Sequence, residues 1–245
     1  MRGGFVVDVK DKVIIVTGGS SGIGLATAIL LSKKGSRVVI TSRYKDDIEK
    51  VAKDIPGSFA VVVDMTKPAD IKNLVKKTMG KFGRIDAIVN NAGQAAHGKI
   101  EDFSVEEYRN NLELNLFGPT LLMQQVIPIM RKQGGGSIVN IGSGTTKMAL
   151  SGVGIYSSGK SALHQLSMVA RKELESDNIN VTIIHPFLTA TNFGRDRHAP
   201  KTDESIWQSR PGVPPADPPE KVANVILDAL QNGDEEISMV PERRV

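Results

Sequence analysis

A glycine-rich turn at residues 17–24, with the sequence T-G-G-S-S-G-I-G, places the strongest constraint on how this chain folds. An apolar run at residues 13–16 leads directly into the turn, and a stretch compatible with a helix follows at residues 25–34. A strand, a glycine turn and a helix in that order create an anion site from backbone alone, because the first N–H groups of a helix have no intrahelical acceptor. Such turns also close ordinary strand–helix units, so the turn by itself does not identify a ligand.

The composition predicts a globular cytoplasmic protein. With 245 residues, of which 40% are hydrophobic, the chain is long enough to bury one sizeable core. The absence of cysteine excludes disulfides and thiolate metal sites, which suits a reducing compartment. We find neither a signal peptide nor an apolar run of the roughly 18 residues that a membrane span requires. The net charge is +4, but the basic residues do not cluster with aromatic ones, so no nucleic-acid partner is expected.

Strand-like and helix-like stretches alternate along the chain. This alternation is typical of a three-layer α/β fold, in which a parallel sheet carries helices on both faces. No repeat and no second core interrupts it, so we predict a single domain over residues 1–245. The candidate strands are residues 13–17, 37–41, 59–64, 85–90, 137–141, 180–185 and 236–240, and the candidate helices are residues 25–34, 46–55, 69–82, 105–133, 157–176 and 219–231.

One long segment, residues 187–216, breaks the alternation. It is rich in proline and charge, yet it also contains Phe187, Phe193 and Trp207. Long irregular segments inside compact domains are usually functional lids or disordered inserts. Because aromatic side chains gain nothing in a fully solvated loop, we predict a lid over a substrate site.

Residues able to do chemistry collect at one predicted edge of the sheet. Gly18 follows the first strand, the turn at residues 90–93 follows the fourth, and Ser143 follows the fifth. In an open parallel sheet, ligands bind beyond the carboxyl ends of the strands. Tyr156 and Lys160 come next in the chain and, being four residues apart on a predicted helix, share one face. The sequence therefore places a site at this edge.

These motifs, taken together, resemble the short-chain dehydrogenase/reductase family over nearly the whole chain. The resemblance implies a doubly wound Rossmann fold with a single parallel seven-stranded sheet. It also implies hydride transfer between a nicotinamide cofactor and a carbonyl or an alcohol. The motifs that carry it, in the family's order, are Thr17-Gly18-x-x-x-Gly22-x-Gly24, Asp64, Asn90-Asn91-Ala92-Gly93, Asn115, Ser143 and Tyr156-x-x-x-Lys160.

The resemblance also implies a role for each polar residue at the edge. Tyr156 is the general acid/base, Ser143 holds the substrate oxygen by a hydrogen bond, and Lys160 binds the nicotinamide ribose. Asn115 helps to position a water that links Lys160 to solvent. A free tyrosine has a pKa of about 10, so we expect the Lys160 ammonium, one helical turn away, to favour the phenolate.

The end of the second predicted strand favours NADP(H) over NAD(H). NAD sites place an acidic residue there for the ribose hydroxyls, whereas this chain has Ser42 followed by Arg43. An arginine pairs with a 2′-phosphate that a carboxylate would repel. After the sixth strand, Phe187 follows Pro186 where the family commonly has glycine. The full predicted cofactor set is Gly18, Ser20, Ser21, Gly22, Ile23, Gly24, Ser42, Arg43, Asp64, Met65, Asn91, Ala92, Gly93, Tyr156, Lys160, Pro186, Thr189 and Thr191.

The predicted function is the NADPH-dependent reduction of a ketone to a secondary alcohol. The ketone would be a 3-oxoacyl thioester or another apolar carbonyl, since the pocket expected between residues 94–98, residues 148–153 and the lid includes Met148, Leu150 and Val153. Two alternatives remain open: a secondary-alcohol or hydroxysteroid dehydrogenase, and a non-catalytic NADP(H)-sensing protein.

Two further expectations concern assembly and metal binding. The resemblance implies a homodimer or homotetramer that pairs the helices at residues 105–133 and 157–176. The four histidines, His97, His164, His185 and His198, show no metal-ligand spacing along the chain, so the sequence predicts no metal site.

Overall fold

The described part of a computed structural model, residues 8–191, 193 and 215–241, is built around one parallel sheet. Within these residues the sheet has seven strands in the order β3-β2-β1-β4-β5-β6-β7, and every neighbouring pair is parallel. The strands are β1 (Val13–Val16), β2 (Arg37–Ser42), β3 (Phe59–Val62), β4 (Ala87–Asn90), β5 (Gly136–Ile141), β6 (Ile179–His185) and β7 (Glu236–Ser238). The predicted doubly wound fold is confirmed.

Helices connect the strands and cover both faces of the sheet. They are α1 (Gly22–Lys33), α2 (Lys45–Asp54), α3 (Pro68–Phe82), α4 (Val105–Leu112), α5 (Gly118–Gln133), α6 (Gly154–Leu174) and α7 (Pro219–Asn232). A π-helical segment, Glu113–Phe117, joins α4 to α5, and short 3₁₀ turns occupy Gly144–Lys147 and Glu175–Asp177. No helix in the described residues is both long and apolar enough to cross a membrane.

Alternating side chains of β1 point into two separate layers of the core. Ile14 and Val16 belong to a buried cluster with residues of α1 and α7. Val13 and Ile15 belong to a second buried cluster, which includes residues of α3 and α5. Since all four side chains are 0% exposed, β1 is buried on both faces, as its continuous apolar run predicts.

The sequence places the elements correctly but misses several boundaries that matter for the site. α1 begins at Gly22, inside the glycine turn, and α6 begins at Gly154, so Tyr156 lies in its first turn. The helix predicted over residues 105–133 is interrupted by the π-helical segment, which contains Asn115. Pro119 lies in the first turn of α5, directly after the π-helical segment.

The strand order creates a crevice beside the glycine turn. β1 pairs with β2 on one side and with β4 on the other. The chain therefore adds β2 and β3 on one side of β1 and then crosses over to add β4 to β7 on the other side. A crevice opens beyond the strand ends at such a switch point, and ligands of open α/β sheets bind there.

Candidate active site

The glycine turn presents the N-terminus of α1 to this crevice. The first backbone hydrogen bond of the helix runs from Leu25 N to Ser21 O (3.1 Å), so the N–H groups before it point out of the helix end. The Ser21 side chain makes no capping hydrogen bond to them. Gly18 and Gly22 have φ values of 65° and 52°, a region that side chains disfavour. A methyl group on Gly24 would overlap Gly18 O, so the helix could not pack this closely.

Thr17 and Asn91 tie the glycine turn to the turn that follows β4. The Thr17 hydroxyl donates to Val89 O (3.3 Å) and accepts the N–H groups of Asn91 and Ala92, both at 3.0 Å. The Asn91 amide donates to Thr17 O at 2.8 Å. Asn91, which the sequence predicts to contact the cofactor, therefore uses its side-chain amide to hold the two turns together.

The second turn brings its backbone against Asn115 and Lys160. A Cβ built on Gly93 would lie 2.8 Å from Asn115 Oδ1 and 3.5 Å from Lys160 Nζ. Asn115 is fully buried, donates to Gln94 O (2.9 Å) and accepts from Gln94 N (3.3 Å). Lys160 Nζ donates to Ile141 O at 2.9 Å. Asn115 and Lys160 thus reach the crevice from two different helical segments.

Ser143 lies two residues beyond β5, with its hydroxyl hydrogen directed by its neighbours. Its Oγ accepts from Thr145 N (3.2 Å) and from Thr145 Oγ1 (2.9 Å). Because both contacts use the oxygen as an acceptor, the Ser143 hydrogen remains to be donated. Ser143 also shares a side-chain hydrogen bond with Tyr156.

Burial dominates the electrostatics of Tyr156 and Lys160. Burial raises the pKa of Tyr156 to about 12, against a smaller opposing effect of the hydrogen bond with Ser143. Burial also lowers the pKa of Lys160 to about 8. The expectation that Lys160 lowers the pKa of Tyr156 is therefore wrong for this structure, in which Lys160 Nζ lies 6.0 Å from the centre of the Tyr156 ring. Tyr156 is a neutral phenol near pH 7.

The end of β2 carries the Arg43 guanidinium, with Ser42 before it and Asp64 nearby. Ser42 is nearly buried and its Oγ accepts from Tyr44 N at 3.2 Å, which leaves its own hydrogen to donate. Arg43 is exposed, and its guanidinium lies 4.9 Å from the centre of the Tyr44 ring. Partial burial of Asp64 acts to raise its pKa, but hydrogen bonds from Thr66 and the nearby cations, Arg43 among them, leave this pKa below its usual value.

The neighbouring Met65 is buried under this end of the sheet. Its carbonyl oxygen lies against Gly118, at the start of α5, where a Cβ would come within 2.5 Å of it. Met65 therefore connects this end of the sheet to the start of α5.

The loop after β6 closes on the glycine turn. Beyond Pro186, the loop pairs with a later segment through hydrogen bonds between Ala190 N and Asp217 O and between Asp217 N and Leu188 O, both 2.8 Å. A Cβ on Gly22 would lie 3.0 Å from the Thr191 methyl group, so this loop lies directly against the turn. The Thr189 hydroxyl donates to Phe187 O at 3.3 Å.

Two phenylalanines of this loop lie close to Tyr156 and to the residue after Ser143. The Phe193 ring packs at a tilt against Tyr156, with the ring centres 5.8 Å apart. Phe187 reaches the backbone of Gly144, where a Cβ would meet it at 3.0 Å. Trp207 and the rest of the predicted lid, residues 192 and 194–214, lie outside the described residues.

The two segments predicted to wall the substrate pocket are joined by the hydrogen bond from Gly98 N to Gly152 O (3.0 Å). Met148 and Leu150 are half-buried there, and Val153 is buried. The wall is therefore largely apolar on this side of Ser143.

A cluster that the sequence does not reveal lies behind Ser143. His185, the last residue of β6, directs its Nδ1 to Ser143 O at 3.1 Å. Its Nε2 lies 3.1 Å from His164 Nδ1 and 3.2 Å from Glu236 Oε1. Burial lowers the pKa of His185, so the ring is neutral near pH 7. Spacing along the chain could not find this cluster, because its members come from three different elements.

Comparisons with known proteins agree with this architecture. The family model described as short chain dehydrogenase matches residues 12–202. An uncharacterized oxidoreductase of Staphylococcus saprophyticus is 33% identical over 231 residues, covering 92% of this chain and 94% of the relative. One from Staphylococcus aureus is 34% identical over 183 residues, covering 74% of this chain and 79% of the relative.

A solved structure is similar over almost the whole chain. The crystal structure of 3-ketoacyl-(acyl-carrier-protein) reductase from Brucella melitensis complexed with NADH matches with a TM-score of 0.87 at 25% identity. The match covers 97% of this chain and 100% of that chain.

Proposed function

We propose, from the premise that this chain belongs to the short chain dehydrogenase family, that it is an NADPH-dependent reductase of apolar ketones. The observation that carries the proposal is the meeting of Ser143, Tyr156 and Lys160 beside the glycine turn, with the phenol of Tyr156 held neutral by burial. Reduction of a ketone needs hydride at carbon and a proton at oxygen. A neutral phenol is the form able to give that proton.

The residues present fit a nicotinamide dinucleotide. The exposed N–H groups at the start of α1 and the close approach that Gly18, Gly22 and Gly24 permit suit a pyrophosphate. Bound in this crevice, the reduced cofactor would supply the hydride. We assign the remaining contacts of the predicted set to the same ligand, with Thr191 beside the pyrophosphate and Lys160 at the nicotinamide ribose.

The chain's own side chains would handle the proton and the substrate oxygen. Ser143 has a hydroxyl hydrogen to donate and would hold the oxygen in place beside Tyr156. Tyr156 would donate the proton as negative charge develops on that oxygen, a step that typically contributes roughly 10²–10⁴-fold in rate. Lys160, charged below pH 8, would donate hydrogen bonds to the nicotinamide ribose. Asn115 would hold Gln94 and a water that links Lys160 to solvent.

Ser42 and Arg43 support NADPH over NADH as the cofactor. A 2′-phosphate would receive a hydrogen bond from Ser42 and a charge-assisted one from Arg43. Hydrogen bonds to charged groups contribute about 1.5–3 kcal/mol, so we expect Arg43→Ala to raise the KM for NADPH roughly 10–100-fold and to leave that for NADH nearly unchanged. Arg37→Ala is the matched control, because Arg37 is exposed at the other end of the same strand. An equal rise for both cofactors in R43A would refute the assignment.

The apolar wall and Phe193 support an apolar ketone, for which 3-oxoacyl thioesters are our first candidates. A steady-state NADPH absorbance assay against 3-oxoacyl thioesters, ketones and aldehydes tests this. We expect turnover to rise with the length of the apolar chain. Tight NADPH binding without turnover on any carbonyl would instead identify a sensor and overturn the proposal.

A groove between α5 and α6 supports a homodimer or homotetramer. Its apolar lining includes Met123, Ile127, Leu166 and Val169, of which Val169 is 44% exposed. A second copy of the chain would bury these side chains. Sedimentation equilibrium should show a dimer or tetramer, and a pure monomer would contradict the assignment.

A further inference from the structure

The cluster behind Ser143 has the composition of a metal site. We propose that His164, His185 and Glu236 bind a divalent transition-metal ion, with Zn²⁺ as the best match. His164 lies on α6, one helical turn beyond Lys160, while His185 ends β6 and Glu236 begins β7. Their side chains are 23%, 0% and 29% exposed, so the site is anchored in the core and open to solvent on one side.

The three donor atoms already have the spacing that a metal ion requires. His164 Nδ1 and His185 Nε2 are 3.1 Å apart, and Glu236 Oε1 lies 3.2 Å from the latter and 3.7 Å from the former. Zinc bonds of about 2.0–2.1 Å in tetrahedral geometry separate neighbouring ligands by about 3.3–3.4 Å. Two of the observed separations are slightly shorter than this value, and the third is slightly longer.

The two ring nitrogens of His185 face different groups. Nδ1 lies within hydrogen-bond distance of Ser143 O (3.1 Å), Thr146 Oγ1 (3.1 Å) and Ser143 N (3.3 Å). In the tautomer that donates from Nδ1 to Ser143 O, Nε2 carries a lone pair 3.2 Å from the Glu236 carboxylate oxygen. A cation between these atoms removes the repulsion. A metal-bound histidine usually donates its other N–H to a carbonyl or carboxylate, and Ser143 O lies 3.1 Å from His185 Nδ1 to accept it.

The backbone beside the cluster is shaped to admit the imidazole. A Cβ on Gly142 would lie 2.6 Å from His185 Nδ1, so a larger residue between β5 and Ser143 would push the ring out of place. The donor set of two imidazoles and a carboxylate favours Zn²⁺ or a similar transition-metal ion over Mg²⁺ and Ca²⁺, which prefer oxygen ligands. Water would complete the tetrahedron on the open side.

Lys147 competes with the metal for Glu236. Its Nζ lies 2.5 Å from Glu236 Oε1, and its side chain is 37% exposed. A bound divalent ion would repel this ammonium and turn it out towards solvent. Loss of Lys147 should therefore strengthen metal binding, whereas loss of a ligand should weaken it. Weaker binding in His164→Ala, which leaves the Glu236 carboxylate in place, separates the proposal from a purely electrostatic attraction to that carboxylate.

Calorimetric titration of the full, tag-free chain with Zn²⁺ tests the site. We expect one Zn²⁺ ion per chain. The variants His164→Ala and Glu236→Gln should bind Zn²⁺ at least about 100-fold more weakly, because even residues that only support a ligand contribute roughly 10–100-fold to metal affinity. Lys147→Met should bind more tightly. His97→Gln is the control, because His97 is an exposed histidine outside the cluster, and its variant should bind like the unmodified chain.

Two further measurements distinguish the loss of a metal ligand from the misfolding of a variant. Circular dichroism without metal should show that H164A and E236Q unfold at nearly the temperature of the unmodified chain, since both side chains are partly exposed. Substitution with Co²⁺ should give the visible absorption of a four-coordinate ion, and this band should vanish in both variants. Unchanged Zn²⁺ affinity in folded H164A or E236Q, or loss of binding in H97Q, would overturn the proposal.

Discussion

Replacing Lys160 by methionine should make the protein more stable near pH 7 while it impairs catalysis. Lys160 is 3% exposed, and burial lowers its pKa from 10.5 to about 8. Below pH 8 the side chain is charged in both the folded and the unfolded chain, so the folded state carries the full penalty of a buried ammonium. Methionine retains an unbranched side chain of similar length without that charge.

The pH dependence of this penalty gives the size of the effect. Between pH 8 and 10.5 the unfolded chain binds more protons than the folded one, so the stability of the unmodified protein rises with pH. At about 1.36 kcal/mol per pKa unit, the penalty is about 3 kcal/mol at pH 7 and about 1.4 kcal/mol at pH 9.5. Loss of the hydrogen bond to Ile141 O opposes the gain in K160M by about 1–3 kcal/mol at either pH. Because this loss is the same at both pH values, it does not affect how the stability difference between K160M and the unmodified chain changes from pH 7 to pH 9.5.

The stability advantage of K160M over the unmodified chain should therefore fall by about 2 kcal/mol between pH 7 and 9.5. Thermal unfolding without cofactor, at one protein concentration, should show this as a relative shift of about 4–8 °C for a chain of this size. Lys172→Met is the matched control, because Lys172 is exposed on the same helix, and its difference from the unmodified chain should not vary with pH. Parallel pH profiles for K160M and the unmodified chain would refute the reasoning.

Three further predictions follow from the same site. Tyr156→Phe should lower kcat at least about 100-fold while NADPH binding, followed by fluorescence, stays unchanged; a fully active Y156F would exclude Tyr156 as the acid. The rate of ketone reduction should decline as pH rises through about 8, where Lys160 loses its proton, and a flat profile to pH 9.5 would contradict its role. Gly159→Ala should raise the free energy of unfolding by about 0.5–1 kcal/mol, because a methyl group there would meet Leu112 at an ordinary 3.4 Å. Gly80→Ala in α3, where the methyl group meets nothing within 4 Å, is its control in chemical denaturation, and a destabilised G159A beside a stabilised G80A would show that the site is more tightly packed than described.

The parts of the fold that depend on local pattern could be predicted from the sequence. The apolar run of β1 and the glycine turn locate the first strand and helix, and the alternation of elements gives the parallel sheet. The spacing of Tyr156 and Lys160 places both on one face of α6, because the helical repeat alone decides that.

The properties that depend on packing could not be predicted in this way. The pKa of Tyr156 is set by burial, which the neighbouring lysine in the sequence does not reveal. Asn115 lies in a π-helical segment, for which the apolar pattern of residues 105–133 gives no signal. His164, His185 and Glu236 meet only because α6, β6 and β7 lie side by side.

The hydrogen bonds between Thr17 and Asn91 also have a consequence for folding kinetics. The two residues are 74 positions apart, and three strands (β2, β3 and β4) and three helices lie between them in the chain. Closing so long a loop costs conformational entropy before any contact compensates it, and contacts between distant residues slow folding. A nascent chain that ends before β4 therefore has the glycine turn but lacks the partner that holds it. The crevice acquires its shape only when β4 inserts beside β1, so affinity for the dinucleotide should appear late in folding and all at once.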